Sequence, residues 1–325
     1  MFLVEEDIKF VASVSKIASK EMDVFYNPLM KHNRDVSISV ISKIKPLIAC
    51  FPLAASGVRA LRAQGFCEEV YVNDIRKNFK ETLKKNIDLN GLDKSKFFVE
   101  SKDASIFMLE NRFFDYIDID PFGSPNPFLD AAIRSVKNNG VLAITATDTA
   151  PLAGTYPKAC KRKYWANPLR TEIMHEVALR ILIRKIQLVG AQFDKALTPF
   201  VSYYKDHYYR VFFRLSNKKS VVDKILSMHS IFKQAGPMWV GKLNDFECEN
   251  EFIKSLNEEE KASHIGFFDI HKIAKNLKLK NIPKDKVLLE KIRDLGFFGV
   301  KTHFSRTGIK TNMKKEDFEK LILQL

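Results

Sequence analysis

The sequence predicts an α/β domain followed by a smaller, basic α+β domain. Three observations carry this. Strand-like and helix-like segments alternate through the first two-thirds of the chain, the alternation closes on an antiparallel pair, and positive charge gathers in the last 55 residues.

In chain order, a polar N-terminal segment precedes "PLIACFPLA", a buried strand. "SGVRALRAQG" is a turn entering a short helix stopped by Gly65, and "EEVYVNDI" is the second strand. "RKNFKETLKKNIDLNG" has helical spacing at Phe79, Leu83 and Ile87 and closes on Asn90-Gly91. "KFFVES" and "FDYIDID" give strands three and four. "PFLDAAIRSVKNNG" is a helix and "VLAITATD" strand five. "PLRTEIMHEVALRILIRKIQLVGAQ" is apolar on more than one face and is expected to be a largely buried helix. "TPFVSYYKDHYYRVFFRL" alternates and turns near Asp206, an antiparallel hairpin at the sheet edge. This is the element order of a Rossmann-like, seven-stranded nucleotide-cofactor fold, assigned to residues 1–216. The register changes at Ser216, and 217–325 is read as the second domain. Its "DKVLLEKIRDLGFFGVKTHFSRTGIKT" reads as a helix and a glycine-punctuated strand pair, winged-helix-like in part.

A chain of 325 residues can bury two cores. Its net charge of +14 attracts polyanions, nucleic acid first. Residues 271–325 hold 14 Lys and Arg against 6 Asp and Glu, with aromatics and glycines interleaved, which fits an RNA- or DNA-facing surface. The four cysteines are scattered without C-x-x-C, which argues against disulfide scaffolds and four-cysteine metal sites. No stretch approaches the ~18 apolar residues of a membrane span. The acidic N-terminus does not read as a signal peptide, so a cytoplasmic setting without membrane partners is expected, and a monomer is favoured.

"LAASGVRALRA" follows strand one, where open α/β sheets bind cofactors, but it is not G-x-G-x-x-G. Only Gly57 permits close backbone approach, so a diphosphate is disfavoured. Asp74 ends strand two, eighteen residues after Ser56, and a carboxylate there accepts both hydroxyls of a ribose. Asp103, followed by Ala104, ends strand three and could read an adenine amine. Either acid could equally cap a helix. Adenosine without a diphosphate points to S-adenosyl-L-methionine.

Strand four ends in "YIDIDPFGSP". Its "DPFG" resembles the (D/N)-P-P-(Y/F) loop of amino-methyltransferases. An exocyclic amine is a poor nucleophile because its lone pair is delocalised into the base. An oxygen acceptor that holds the N–H offsets positive charge as the methyl arrives. Asp120 is the expected acceptor and Phe122 the stacking face. Asp118 is expected to point to the other side of the strand and support the loop.

"VFYNPLMKHNRDVS" (24–37), the segment from "IDIDPFGSP" to "HEVALRILI" (117–183), "KALTPFVSYYKDHYYRVFFRL" (195–215), "GPMWVG" (236–241) and "HFSRTGIKT" (303–311) resemble the tRNA guanine-26 dimethyltransferase family, class I methyltransferases dependent on S-adenosyl-L-methionine. The resemblance runs over nearly the whole chain. It implies transfer of two methyl groups to the 2-amino group of a tRNA guanine. It implies that Arg34, Asp74, Asp103 and Ala104 hold the cofactor with Arg59 beside them, that Asp120 is catalytic, and that Phe25 and Phe122 flank the target base; Ser56, in the loop after strand one, is expected at the same cofactor site. A base buried in folded tRNA must be extruded and regripped by stacking. Lys158, Lys161, Arg162 and Lys163 follow strand five and could hold tRNA phosphates. The chain departs from the family where many members carry four cysteines before "GPxWxG". Here "SVVDKILSMHSIFKQA" has none, so no metal is expected, and packing around Trp239, Phe267 and Phe268 is expected to brace the second domain. His175 and His207 read as structural. Two alternatives share these features: an amino-methyltransferase acting on adenine in RNA or DNA, and a non-catalytic RNA-binding protein.

Overall fold

The computed structural model describes residues 2–14, 25–111, 113–279 and 281–325, so Val24, where the first family-like segment begins, lies outside the described residues. The polar N-terminus forms a hairpin of β1 (Phe2–Glu5) and β2 (Ile8–Val11), then a short parallel pair of β3 (Ser13–Val14) and β4 (Phe25–Tyr26). Helix α1 (Lys31–Ile44) ends where Lys45 turns left-handed.

The alternation follows with β5 (Ile48–Phe51), α2 (Val58–Ala63), β6 (Glu69–Asn73), α3 (Phe79–Leu89), β7 (Phe97–Glu100), α4 (Ala104–Glu110), β8 (Phe114–Ile119), α5 (Leu129–Ser135) and β9 (Val136–Ala146). After the short helices α6 (Thr149–Leu152) and α7 (Pro157–Tyr164) come α8 (Met174–Ala191) and the hairpin of β10 (Ala196–Lys205) and β11 (Tyr208–Ser216). The seven strands line up as β10-β11-β9-β8-β5-β6-β7, with β11 antiparallel to β9 and β5 to β9 mutually parallel. The expected Rossmann-like sheet is therefore present, edge hairpin included.

One predicted boundary moves. The helix read through "VKNNG" stops at Ser135, and Val136 already pairs with Phe114, while Val141 pairs with Tyr116. Residues 137–140 bulge out between those pairs, with Asn139 left-handed. A Cβ on Gly140 would come within 2.9 Å of the Lys137 carbonyl, so this bulge requires glycine.

Each face of the sheet has its own core. One is built on α8 through Val177, Ile181 and Leu182, which are buried on several faces as expected. The other packs Val36, Val40, Leu61 and Leu83 of α1–α3 against Tyr116 and Ala143.

Beyond Ser216 the cores divide differently from the predicted boundary. Helix α9 (Lys219–Ser227) and the hairpin of β12 (His229–Phe232) and β13 (Ala235–Trp239) bury Val222, Ile225, Met238 and Trp239 in the α8 core, and α10 (Glu251–Glu260) joins the opposite one through Ile253 and Leu256. A separate third core begins near residue 270 and includes Ile273, Leu288, Ile309 and Phe318. It is formed by β14 (Phe268–Asp269), α11 (Ile270–Asn276), α12 (Asp285–Asp294), β15 (Gly299–Lys301), β16 (Gly308–Thr311) and α13 (Lys315–Leu323), with the strands ordered β14-β16-β15. Trp239 and Phe267 belong to the α8 core, whereas Phe268 packs with the third, so the bracing residues straddle the junction. Among the described residues no helix is long and apolar enough to cross a membrane.

Candidate active site

At the C-terminal ends of β5, β6 and β8, a cavity of about 550 Å³ is lined by Phe25, Arg34, Ser56, Arg59, Asp74, Asp120 and Phe122, among others. This is where open α/β sheets bind ligands, and the size is ordinary for a ligand pocket. All seven are residues that the sequence singles out, drawn from separate segments of the chain.

The turn after β5 brings Asp74 into the wall. The Ala55 N–H donates to Asp74 Oδ2 at 2.9 Å, and Arg76 Nε donates to Oδ1 at 2.8 Å. Gly57 makes that turn with φ +78°, so the backbone demands glycine, and a Cβ there would also have to displace the Leu83 side-chain end, 2.3 Å away. Ser56 is buried on the same loop, and its carbonyl accepts from Asn86.

Arg34 is anchored by a residue that sequence reasoning missed. Glu5, at the end of β1, accepts from Arg34 Nε at 2.8 Å, from Arg62 Nη1 at 2.6 Å and from Tyr26 Oη at 2.8 Å. Burial pushes the Glu5 carboxyl up, but the arginines more than reverse this and hold it below its usual value. Arg34 also lies over the Tyr26 ring, 4.8 Å from its centroid.

Asp103 is not among the residues that line the cavity. Its carboxylate caps α4, accepting from the N–H groups of Ser105 at 2.8 Å and Ile106 at 3.1 Å, and its side chain is exposed outside the cavity lining. Ala104 is the buried first residue of that helix. The cap uses Oδ1 alone, so capping and the expected contact to an adenine amine are compatible in this carboxylate.

The two acids of "DIDPFG" lie on one face of β8, which corrects the expectation that Asp118 points away. Residues two apart on a strand share a face. The Arg59 guanidinium bonds both, using Nη1 for Asp118 and Nη2 for Asp120. What separates the acids is burial. Asp118 is enclosed by Arg59, by Arg210 (Nη2 to Oδ2, 2.6 Å) and by Tyr116 Oη at 2.6 Å. Burial alone would raise its pKa, but the charges of Arg210 and Arg59 drive it far below the carboxylate range. Asp120 lines the cavity: Arg59 Nη2, which also donates to Asn33 Oδ1, holds Oδ2, and Oδ1 has no protein partner among the described residues. Arg59, grouped with the cofactor residues from sequence, thus also fixes the orientation of the acid.

The loop beyond Asp120 is clamped. The Gly123 N–H donates to Thr147 Oγ1 at 2.7 Å, and the Thr147 N–H returns a bond to the Gly123 carbonyl at 3.0 Å. Phe122 is 43% exposed and meets Phe25 edge to face, with centroids 4.7 Å apart. The basic run Lys158, Lys161, Arg162 and Lys163 is exposed on α7, a helix the sequence did not announce because it buries only Cys160 and Tyr164. That helix is tied to the loop through Asn126 Nδ2 to the Lys163 carbonyl (2.9 Å) and Tyr164 Oη to Ser124 Oγ (3.1 Å).

The two histidines part ways. His175 stacks on Tyr204 at 3.7 Å and bonds Tyr209 Oη at 3.0 Å, and burial lowers its pKa to about 4, as befits a structural residue. His207 is exposed at the β10–β11 turn and lines the cavity, so a structural role does not describe it. Among the described residues no three His, Cys, Asp or Glu side chains gather as a metal site.

The sequence pattern of a family described as N2,N2-dimethylguanosine tRNA methyltransferase matches residues 5–235 and 227–323. A tRNA (guanine(26)-N(2))-dimethyltransferase of Pyrococcus furiosus is 38% identical over 91% of both chains. A tRNA (guanine(26)-N(2)/guanine(27)-N(2))-dimethyltransferase of Aquifex aeolicus is 34% identical over all of this chain and 96% of its own. The structure of Trm1 from Pyrococcus horikoshii with S-adenosyl-L-methionine superimposes with a TM-score of 0.87 at 33% identity, covering 99% of each chain.

Proposed function

The chain belongs to the N2,N2-dimethylguanosine tRNA methyltransferase family, and from that premise we propose that it methylates the 2-amino group of guanine 26 in cytoplasmic tRNA, once and then again, using S-adenosyl-L-methionine. The observation that carries this reading is the shared cavity. One wall offers the Asp74 carboxylate, and the other offers Asp120 beside two aromatic rings.

The residues present suit this cofactor. Asp74 takes the ribose diol, Arg34 and Ser56 border the same cavity, and the turn at Gly57 has no diphosphate cradle. Bound there, the cofactor would supply an electrophilic methyl group, its S–CH3 bond breaking so that S-adenosylhomocysteine leaves as the neutral thioether. Phe25 and Phe122 grip the extruded base, and Asp120 Oδ1 accepts an N–H of its amine. The carboxylate charge offsets the positive charge that develops on nitrogen, and Asp120 takes the proton released when the N–C bond has formed. Arg59 keeps Oδ2 occupied, so that Oδ1 faces the amine.

The segment from 217 to 325 is the proposed tRNA-binding part. The run α10, β14, α11, α12, β15, β16, with β16 between β14 and β15, supports a winged-helix-like reading of it. Lys158, Lys161, Arg162 and Lys163 would add phosphate contacts beside the base pocket. Tritiated methyl transfer from S-adenosyl-L-methionine to bulk tRNA and to DNA, followed by nucleoside analysis, tests the function. N2-methyl- and N2,N2-dimethylguanosine from tRNA are expected. N6-methyladenosine, or no transfer to either polymer, would overturn it.

A further inference from the structure

Helix α7 carries an exposed aromatic ring at each end, Tyr156 at 61% and Trp165 at 46%. Between them lie Lys158, Lys161, Arg162 and Lys163, and among the described residues Lys163 is the one of the four that pairs with a carboxylate, Asp148. Trp165 occupies the left-handed C-cap of the helix (φ +56°). Behind its ring lies Lys185 of α8, with Nζ 2.9 Å from the ring centroid. Lys185 is buried, and among the described residues no carboxylate neutralises it: burial and the charge of Arg184 lower its pKa to about 8. Arg184 Nη1 donates to the Trp165 carbonyl at 3.3 Å.

A buried cation without a counter-charge is costly, and a phosphate-bearing strand laid over the indole would bring one. Among the described residues nothing covers the outer face of the ring, and Trp165 is 46% exposed. The cation draws electron density from one face of the ring, so an electron-rich purine stacks more strongly on the other face. The lysines along α7 supply attraction for the phosphates on either side of such a base. Helix α7 is itself tied to the loop that follows Asp120 and Phe122 through Asn126 and Tyr164, so the indole and that loop belong to one connected unit.

We propose that Trp165, braced by Lys185, is a stacking platform for an unpaired nucleotide flanking the target guanine, so that the substrate gripped here is a locally opened strand and not an intact duplex. This deepens the proposed tRNA guanine methylation and rests on it. The opened neighbour, once stacked on Trp165, cannot close back over the vacated position, which keeps the extruded guanine available through both transfers.

The chain has two tryptophans, and the other, Trp239, is buried with its indole N–H bonded to the Lys242 carbonyl, so tryptophan fluorescence quenched by RNA reports on Trp165. Titration of the full chain with a tRNA transcript, with single-stranded oligoadenylate and with a blunt RNA duplex should show quenching by the first two and little by the third. Trp165→Phe should abolish the signal. Trp165→Ala should weaken tRNA binding about 5- to 100-fold, as expected for one lost base stack, with affinity for S-adenosylhomocysteine unchanged. If an active wild-type enzyme shows no quenching at saturating tRNA, or equal quenching by the duplex, the platform is wrong. If the wild type methylates no tRNA guanine, the functional reading fails instead.

Discussion

Two buried ion clusters in this molecule are wired differently. Beneath the cavity, Asp118 is shared by Arg59, Arg210 and Tyr116, and Arg59 then reaches out to Asp120, whose side chain is 22% exposed. Elsewhere, Glu176 of α8 is enclosed by Arg180 at 3.0 Å, Lys310 of β16 at 3.2 Å and the Gly266 N–H at 3.1 Å. Arg180 goes on to the Gly241 carbonyl at 2.8 Å, so this second cluster closes on backbone. Both remove charges from water, which costs several kcal/mol per ion unless the partners are well placed. The closed cluster uses its partners to fasten Gly241, Gly266 and Lys310 to α8. The open one has a free end, and that end is a carboxylate oxygen facing a cavity. Fixing a reactive group while leaving one atom unused is what a catalytic site needs.

The largest effect should come at the open end. Asp120→Asn keeps the size and an acceptor but loses the charge. Single-turnover methylation of tRNA should fall by about 10²–10⁴, with cofactor affinity near wild type and a smaller stability loss than for Asp118→Asn, since Arg59 keeps Asp118 and Asp120 is partly solvated. Asp118→Asn should do the reverse. With two arginines left under-compensated, it should lose about 3–5 kcal/mol of stability in denaturant unfolding. If Asp118→Asn abolishes chemistry in well-folded protein while Asp120→Asn keeps it, the two ends of the cluster have been assigned wrongly.

The closed cluster should answer only in stability. Burial pushes the Glu176 carboxyl up, but Lys310 and Arg180 outweigh it and hold the pKa at about 2, below the ordinary 4.5. A depressed acid contributes stability that is present above its unfolded pKa and is lost as pH falls through the folded one. Unfolding followed from pH 6 down to 2 should therefore steepen below about 4.5 in the wild type and flatten in Glu176→Gln. That variant should be less stable by about 3 kcal/mol at neutral pH, because Arg180 and Lys310 remain buried. Loss of catalytic rate in the folded variant would mean that the brace also shapes the site.

How much of this was legible in the sequence follows the same division. The sheet could be read strand by strand because its segments are apolar runs bounded by turn residues. The loop at Asp120 could be read because an acid, two prolines, a ring and a glycine have no packing reason to stand together. Residues that act through distant partners could not. Asp118 and Arg210 are 92 positions apart, Glu176 and Lys310 are 134 apart, and Glu5 meets Arg34 from a hairpin that looked merely polar. Asp118 was misdirected although the strand period alone puts it beside Asp120. Helix α7 has only two buried side chains, too few for a periodic signal. The boundary at Ser216 followed a change in composition, whereas the cores divide near residue 270 because α9, β12, β13 and α10 lend their apolar faces to the first sheet.

A smaller effect separates ligand binding from both clusters. Asp74 and Arg76 form a pair in the cavity wall with side chains 15% and 20% exposed, more open to solvent than the Glu176 cluster or Asp118. Asp74→Ala should cost roughly 1.5–3 kcal/mol in calorimetric titration with S-adenosylhomocysteine, the range for removing charge-assisted hydrogen bonds. Thermal stability should hardly move. Unchanged affinity would remove the ribose from this wall.

The smallest effects belong to the surfaces that have no cluster at all, the lysines of α7 and those beyond residue 270. Deleting 271–325 is a poor test of them, because it also strips Lys310 from Glu176 and Phe304 from the α8 core. Single neutral substitutions avoid this. Lys275→Gln and Lys286→Gln change exposed side chains on α11 and α12, and Lys158→Gln and Lys161→Gln do the same on α7. Removing one lysine that neutralises a phosphate should lower the slope of log K against log salt by about 0.7–0.9 and weaken tRNA binding a few-fold at moderate salt, with cofactor binding intact. If both surfaces grip tRNA, all four variants lose slope and a pair drawn from the two surfaces loses about twice as much. A full wild-type slope in Lys275→Gln and Lys286→Gln together would move the grip off the basic C-terminal helices and leave α7 to hold the phosphates.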